Sequence, residues 1–302
     1  DAACLKLYDG HDWKWFRAGL AHTDMEYLRR HWSGKKSSAP VLEKRHQKYF
    51  LRFSYAEEVT LSKTPVKDQI ICSVDLGINT DAVCSIMRSD GTVLDRKFIN
   101  FPSEKDRLSH VLGRIRRFQK EHGSKQIGSR WAYAKRLNTE LARKTARSIA
   151  EYAHENHADV IVFEYLEMKG KISGKKRQKL HLWKKREIQT MCEHKAHRYG
   201  IRVSRVCAWN TSRLAYDGSG PVSRDPKNHS LCVFQSGKQY NCDLSASYNI
   251  GARYWIREII KTLPETERSS LEAKVPAVKR RTSCVYADLL ILQNEYGCSK
   301  AA

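Results

Sequence analysis

The fold of this chain is decided by Ile70-Ile71-Cys72-Ser73-Val74-Asp75-Leu76-Gly77. This apolar run, which lacks polar alternation, predicts a central strand with both faces covered. The run ends at Asp75, and a carboxylate in such a place is costly unless it is paired, hydrogen-bonded or bound to a metal. The stretch therefore predicts a central strand and makes Asp75 a candidate functional residue.

Two other carboxylates stand at comparable places along the chain. Glu164 closes the apolar run that begins at Val160, and Asp243 opens a helical pattern that continues to Leu263. Each acid has an ordinary structural role open to it: a turn cap for Asp75, an ion pair with an arginine for Glu164, and a helix N-cap for Asp243. Three converging carboxylates would instead make the hard, oxygen-only site that Mg²⁺ prefers. Their order along the chain favours the metal site.

The elements between these acids follow the order β-β-β-α-β-α-β-α. Hydrophobic patterns predict strands over 70–75, 82–87, 93–100, 159–164 and 201–206, and helical regions over 103–157, 183–199 and 243–263. One acid lies on the first strand, one at the end of the fourth strand, and one at the start of the last helix. This arrangement predicts an α/β, RNase H-like fold, a mixed sheet with flanking helices in which the first strand is central and the fourth pairs beside it.

The segments on either side of this core indicate further units. A hairpin turn at Asp9-Gly10 and an alternating strand over 49–55 indicate the end of a small β-barrel or sheet. The region before Asp243 is rich in loop-forming residues. The predicted organisation is a β unit over 1–68, a core over 69–207, an insert over 208–241, a helix over 242–263 and a charged tail over 264–302 that ends in a helix over 285–293.

Charge is the outlying feature of the composition. The chain carries 55 Lys and Arg against 33 Asp and Glu, a formal net charge of +22. Such a surplus repels itself unless a polyanion neutralises it, so nucleic acid is the first partner to consider. No apolar run approaches the ~20 residues of a membrane span, and the nine scattered cysteines are typical of a reducing, intracellular compartment. The candidate contacts to a nucleic-acid backbone are Arg114, Arg116, Arg117, Lys120, the basic loop Lys169–Lys179, Lys184, Lys185, Arg186 and Lys279-Arg280-Arg281.

Three short motifs carry a resemblance to a known family. They are VDLGIN at residues 74–79, VIVFEYLE at 160–167 and CDLSASYNIGAR at 242–253. In order, spacing and element type they resemble the three RuvC motifs of TnpB-like transposon nucleases and of the type V CRISPR, or Cas12-type, effectors. The resemblance implies an RNA-guided, divalent-metal-dependent DNA endonuclease with a single RuvC site.

The resemblance also implies roles for individual residues. Asp75, Glu164 and Asp243 match the metal-binding triad, with Asp75 as the bridge between two Mg²⁺ ions, for which Mn²⁺ is an alternative. Two such ions, about 3.5–4 Å apart, activate a water and stabilise the leaving 3′ oxygen of a phosphodiester. Arg213 falls where the family often has a basic residue near the scissile phosphate. Asn79 and Asn249 are polar neighbours suited to orienting a ligand.

The implied partners are a guide RNA and target DNA, single- and double-stranded, with no membrane. Residues 1–68 resemble the end of the wedge-like barrel that grips guide RNA in this family, without the recognition lobe that interrupts it. Because the chain also begins at Asp1 and not at a methionine, we expect a longer protein, with an N-terminal portion that is missing here or belongs to a second subunit. The expected location is the cytoplasm of a prokaryotic cell, beside the nucleoid.

The insert departs from the family pattern, which commonly has a zinc ribbon there with two Cys-x-x-Cys pairs. The four ligand positions hold Ala215, Gly218, Val233 and Ser236, and none of these residues has a thiol. We therefore predict no structural zinc and a degenerate, zinc-ribbon-like insert held together by packing. A rearranged site stays open as an alternative for four nearby residues, Cys207, His229, Cys232 and Cys242.

Three functions remain to be separated. The leading hypothesis is guided, metal-dependent cleavage of DNA. The alternative is a cleavage-deficient RNA-guided DNA-binding protein or transposition regulator, which the complete acidic triad argues against. The third is an RNase H-like transposase or resolvase that uses no guide, which the wedge-like N-terminal segment argues against. An RNA that co-purifies with the chain would exclude this third function.

Overall fold

The computed structural model describes residues 1–45, 47–123, 127–165, 183–225, 228, 230–279 and 282–301. Three sequence-based predictions fall outside these ranges: the basic loop Lys169–Lys179, the alternative zinc ligand His229, and the basic pair Arg280-Arg281. By its internal contacts the chain divides into two compact units, Asp1–Val59 and Thr60–Ala302. Within the described ranges, no helix is both long and apolar enough to cross a lipid bilayer.

The first unit is built from two antiparallel hairpins and a helix. They are β1 (Ala2–Tyr8) with β2 (Trp13–Gly19), α1 (His22–Trp32), and β3 (Val41–Arg45) with β4 (Lys48–Arg52). The predicted turn joins the first hairpin, and Gly10 there adopts φ +105°, a conformation that favours glycine. Among the described residues the hairpins form two separate two-stranded sheets, so a barrel stays a prediction.

The second unit contains a mixed sheet of five strands. They are β5 (Ile70–Asp75), β6 (Ala82–Arg88), β7 (Val93–Ile99), β8 (Val160–Tyr165) and β9 (Arg202–Cys207). Their order is β7-β6-β5-β8-β9. Strand β5 runs antiparallel to β6 and parallel to β8, which in turn runs parallel to β9. The predicted mixed sheet, with its first strand at the centre, is confirmed.

Helices cover both faces of this sheet. They are α2 (Pro102–His122), α3 (Gly128–Glu155), α4 (Lys185–Arg198), α5 (Cys242–Thr262), α6 (Glu265–Lys274), α7 (Pro276–Lys279) and α8 (Tyr286–Ala301). Alternate residues of a strand point to opposite faces. Cys72 and Val74 pack with residues of α3 and α4, whereas Ile71 packs with residues of α5. Burial on both sides is why β5 is apolar without interruption.

The predicted charged tail is a folded part of the second unit. Leu271 of α6 and Leu289 and Leu292 of α8 are buried in the same core cluster as the α5 residue Trp255. The helix predicted at the end of the tail is present as α8. In α6 the buried Leu271 stands among charged residues that hide the helical spacing, whereas α8 contains the continuous apolar run Leu289–Leu292.

The second unit also begins earlier than the predicted boundary after residue 68. The Ser62 hydroxyl donates to Asp159 Oδ1 at 2.6 Å, and the Ile70 N–H donates to Asp159 Oδ2 at 2.9 Å. The Thr64 hydroxyl donates to the same carboxylate. The segment before β5 is therefore fastened to the residue that precedes β8, because Asp159 accepts hydrogen bonds from both.

Helix α5 packs very closely on the sheet. A Cβ atom added to Gly251 would lie 2.4 Å from Met87 Sδ and 3.3 Å from Ser73 Cβ. One turn earlier, the Ser247 and Ser85 hydroxyls are 2.6 Å apart and fully buried. Small residues in the third motif thus let the helix approach β5 and β6.

The insert before α5 has its own small sheet and core. Its strands are β10 (Ser223–Arg224), β11 (Leu231–Val233) and β12 (Gln239–Asn241). Ala215, Cys232, Phe234 and Cys242 are buried together, with Tyr216 packed against them. Burial and the neighbouring Cys242 raise the pKa of the Cys232 thiol to about 12. The methyl group of Ala215 fills one family ligand position, so these residues do not fit a zinc ribbon.

Candidate active site at the carboxyl edge of the sheet

Two of the predicted acids lie side by side at one edge of the sheet. Asp75 is the last residue of β5, and Glu164 is the last but one of β8. The strands are parallel, with Val74 opposite Phe163, so their carboxyl ends meet at the same edge. Asp75 is 8% exposed and Glu164 is 7% exposed, which makes both carboxylates expensive to ionise.

The third acid, Asp243, lies in the first turn of α5, which packs on β5, β6, β8 and β9. The N-cap of this helix is Asn241, whose side-chain oxygen accepts the Leu244 N–H at 2.9 Å. The structure therefore excludes the N-cap role as the reason for an acid at Asp243. A carboxylate in this turn gains from the positive end of the helix dipole.

The three carboxylates share one electrostatic environment. Burial raises the pKa of Asp75 well above its usual value, and the charges of Glu164 and Asp243 raise it further. Burial also raises the pKa values of Glu164 and Asp243. A bound cation would relieve desolvation and repulsion together. The chemistry of these oxygen donors therefore fits a divalent metal.

The acids alone do not form a closed metal site. Among the described residues, no three His, Cys, Asp or Glu side chains are grouped closely enough to hold an ion. The charge of Asp243 acts on Asp75 at this edge of the sheet. The triad stays a prediction, and among the described residues its acids have an open arrangement.

Glu164 has partners on several elements. The Thr211 hydroxyl donates to Glu164 Oε1, and Gln189 Nε2 on α4 donates to the Glu164 backbone oxygen at 2.8 Å. The Thr211 hydrogen bond and the charges of Arg253 and Lys185 lower the pKa of Glu164, against the larger effect of burial. Hydrogen bonding and charge thus favour the carboxylate form that a metal ligand needs.

A cation on the insert acts on the other two acids. The charge of Arg224, on β10, lowers the pKa of Asp75 and of Asp243 against the effect of burial. Arg224 Nη2 also donates to the Ser212 backbone oxygen at 3.2 Å. Arg213, the arginine expected from the family resemblance, has an exposed side chain on the turn after β9. Its role at a phosphate stays a prediction.

Sequence reasoning missed Arg224 and Thr211. Both lie in the loop-rich segment between β9 and α5, where hydrophobic periodicity gives no register. Asn249, which sequence reasoning did name, is fully buried and donates to the backbone oxygens of Thr211 and Leu214 at 3.0 and 2.9 Å. It contacts the turn that reaches Glu164, so its connection to the acids is indirect.

The basic residues predicted to contact nucleic acid differ in how exposed their side chains are. Helix α2 carries exposed side chains at Arg114, Arg116, Arg117 and Lys120. Lys185, by contrast, is 8% exposed, and the neighbouring Lys184 Nζ donates to Thr139 Oγ1 at 2.6 Å. A phosphate backbone could therefore reach the α2 cations directly, whereas Lys185 belongs to the surroundings of Glu164.

Comparisons with known proteins bear on the segment that holds these residues. Residues 186–250 match the family model described as Cas12f1-like, TNB domain. A solved Cas12f1–sgRNA–target DNA complex is similar at 21% identity with a TM-score of 0.47, over 69% of this chain and 54% of that one. A CRISPR-Cas12f ternary complex gives 20% and 0.47, over 76% of this chain and 48% of that one. An AacC2c1–sgRNA binary complex gives 9% and 0.41, over 84% and 48%.

The chain spans about half the length of these solved proteins, 54% and 48% for the first two. A search of curated protein sequences finds no match. The matched family segment begins in α4 and ends in α5, so it contains Thr211, Arg224 and Asp243. This match confirms the resemblance to TnpB-like and Cas12-type effectors over residues 186–250, which include the start of the third motif.

Proposed function

We propose that this chain is the nuclease portion of an RNA-guided, divalent-metal-dependent DNA endonuclease. The observation that carries the proposal is that Asp75 and Glu164 lie on neighbouring parallel strands at one edge of the sheet, where the charge of Asp243 also acts on Asp75. The strand order and the acid in the first turn of α5 support an RNase H-like, RuvC-type core. The net charge of +22 supports nucleic-acid partners, a guide RNA and target DNA.

The residues at this edge would have different roles in phosphodiester hydrolysis. Asp75, Glu164 and Asp243 would hold two Mg²⁺ ions, which supply Lewis acidity and a water activated for attack. Asp75 belongs to the central strand, and the charges of both other acids act on it, so in this proposal Asp75 would help to hold both ions. Arg224 would attract the scissile phosphate, since its charge already acts on the two acids nearest to it.

A second candidate function is RNA-guided binding of DNA without cleavage. It is favoured by the open arrangement of the acids, because the described part of the chain contains no ready-formed metal cluster. Under the leading proposal, Asp75, Glu164 and Asp243 would hold the ions together, since bound cations would offset the repulsion between the three carboxylates. The two candidates differ in one measurable respect, which is metal-dependent cleavage.

The test uses the purified chain with the RNA that co-purifies with it. Labelled DNA complementary to the dominant RNA species is incubated with Mg²⁺ or with a chelator. Cleavage by the wild type that is lost with chelator and in Glu164→Ala supports the proposal, and Glu121→Ala, an exposed acid on α2, should cleave normally. Binding should persist in Glu164→Ala and weaken steeply with salt. If the wild type and both variants bind the DNA equally and none of them shows metal-dependent cleavage, the function would be guided binding without cleavage.

Arg224→Ala should slow cleavage more than Arg213→Ala does. We expect a loss of about 10²-fold for Arg224, the scale observed when one charge-stabilising donor is removed from an active site. Single-turnover cleavage rates with saturating DNA measure it. The two substitutions remove the same charge from neighbouring parts of the insert, so each controls for the general loss of a cation. A larger loss for Arg213→Ala would restore the assignment made from the family resemblance.

A further inference from the structure

The turn after β9 brings a hydroxyl group to the second acid. Thr211 is 2% exposed, and its hydroxyl donates to Glu164 Oε1. The backbone oxygen of Ala208, at 3.2 Å, is the other acceptor within reach of this hydroxyl. An ionised carboxylate is the stronger acceptor. The single hydroxyl hydrogen therefore favours Glu164 and restricts the rotation of its carboxylate.

The turn itself is held at its start by an arginine of α5. Arg253 Nη1 donates to the backbone oxygens of Cys207 and Trp209, at 2.7 and 2.8 Å. Asn210 then adopts φ +60°, a left-handed conformation that asparagine tolerates better than most residues. These bonds fix the direction in which the chain leaves β9 and reaches Thr211.

An asparagine of the same helix holds the other end of the turn. Asn249 Nδ2 donates to the backbone oxygens of Thr211 and Leu214, and Asn249 Oδ1 accepts the Tyr286 N–H at 3.0 Å. Each polar atom of this fully buried amide is used, so the amide cannot rotate without losing hydrogen bonds. Because Asn249 holds the backbone oxygen of Thr211, the position of Thr211 in the turn is fixed.

We infer that Thr211 is a positioning residue for Glu164, held in place by Asn249, and that it orients this carboxylate for metal binding. The inference rests on the proposed function, because it assigns Glu164 as a metal ligand. Helix α5 then places one acid directly, through Asp243, and a second one indirectly, through Asn249 and Thr211. This arrangement depends on tertiary hydrogen bonds between segments that are distant in sequence.

The test compares Thr211→Val, which removes the hydroxyl and keeps the shape, with Thr211→Ser, which keeps the hydroxyl. Mn²⁺ binding to the nucleic-acid-free chain is titrated by the loss of the free-ion signal in electron paramagnetic resonance. We expect Thr211→Val to weaken Mn²⁺ binding by about 10- to 100-fold, the usual effect of losing a group that orients a metal ligand. Thr211→Ser should bind Mn²⁺ nearly as tightly as the wild type does. The Mn²⁺ concentration needed for cleavage should rank the variants in the same order.

The controls separate orientation from damage to the fold. Ser212→Ala alters the same turn but keeps the backbone oxygen that Arg224 uses, and it should bind Mn²⁺ normally. Thr211→Ala supplies a second hydroxyl-free variant, and thermal melting shows that each variant is folded. Normal binding by Thr211→Val, or equal weakening in Thr211→Val and Thr211→Ser, would overturn the inference alone. Normal Mn²⁺ binding by Glu164→Ala would instead overturn the proposed function.

Discussion

Asp75→Asn should abolish metal-dependent cleavage and, at neutral pH, raise the melting temperature of the metal-free protein. Asparagine keeps the shape of the side chain and removes a negative charge that burial, Glu164 and Asp243 all disfavour. The loss of cleavage should be about 10³-fold or more, which corresponds to about 4 kcal/mol of transition-state stabilisation. The gain in stability follows because the functional charge opposes folding when no cation is bound.

The direction of the stability change with pH follows from the pKa of Asp75. The pKa of Asp75 is raised in the folded state, above the value of about 3.9 for an unfolded chain. Wild-type stability should therefore fall as the pH rises from about 4 through the raised pKa of the folded protein. Below that range Asp75 is protonated in both states, and the difference in melting temperature from Asp75→Asn should disappear.

Thermal melting of the metal-free proteins across this pH range measures the effect, with Asp106→Asn on the exposed surface of α2 as the matched control. Mg²⁺ should raise the melting temperature of the wild type and of the control, because it binds the folded state. It should do so much less for Asp75→Asn. A lower melting temperature for Asp75→Asn at neutral pH would show that Asp75 has a stabilising structural partner and is not a strained metal ligand.

Gly251→Ala should destabilise the second unit and slow cleavage, although alanine is a better helix former than glycine. The helical preference favours alanine by about 1 kcal/mol. The new methyl group would stand 2.4 Å from Met87 Sδ and 3.3 Å from Ser73 Cβ, and overpacking of a tight core costs roughly 1–3 kcal/mol. Met87 is fully buried, so it has little room to move, and the collision should outweigh the propensity. Urea denaturation measures the balance.

The control for this prediction is another helical glycine. Gly113 on α2 has open space where a Cβ would be added, so Gly113→Ala should be neutral or stabilising. In a double-mutant cycle, Gly251→Ala combined with Met87→Ala should cost less than the sum of the two single changes, because Met87→Ala removes the clashing sulfur. Strict additivity would mean that the helix does not press on Met87. The cleavage rate tests whether a shift of α5 also displaces Asp243.

The sheet and the acids could be predicted because they leave local signals in the sequence. Continuous apolar runs mark β5 and β8 as strands that are covered on both faces, and each run ends in an acid. The role of Asp243 was ambiguous from sequence, since an acid at a helix start is also a good N-cap. Only the structure shows that Asn241 occupies the cap.

The contacts around the acids could not be predicted because they leave no local signal in the sequence. Thr211 reaches Glu164 across 47 residues of sequence, and Arg224 lies in a short strand whose two residues show no periodicity. The helix at the end of the tail was predicted, but the burial of α6 was missed because Leu271 stands among charged residues. In each case the determining contact joins segments that no local pattern connects.

The hydrogen bond from the Tyr286 N–H to Asn249 Oδ1 has a practical consequence for anyone who wishes to shorten this chain. Trimming from the carboxyl terminus past the start of α8 would remove that donor and leave a buried amide oxygen without its partner. The Ala287 N–H, which donates to the Tyr216 backbone oxygen at 2.9 Å, would go with it. The smallest useful version of the protein must therefore retain its final helix, however remote that helix is in sequence from the acids.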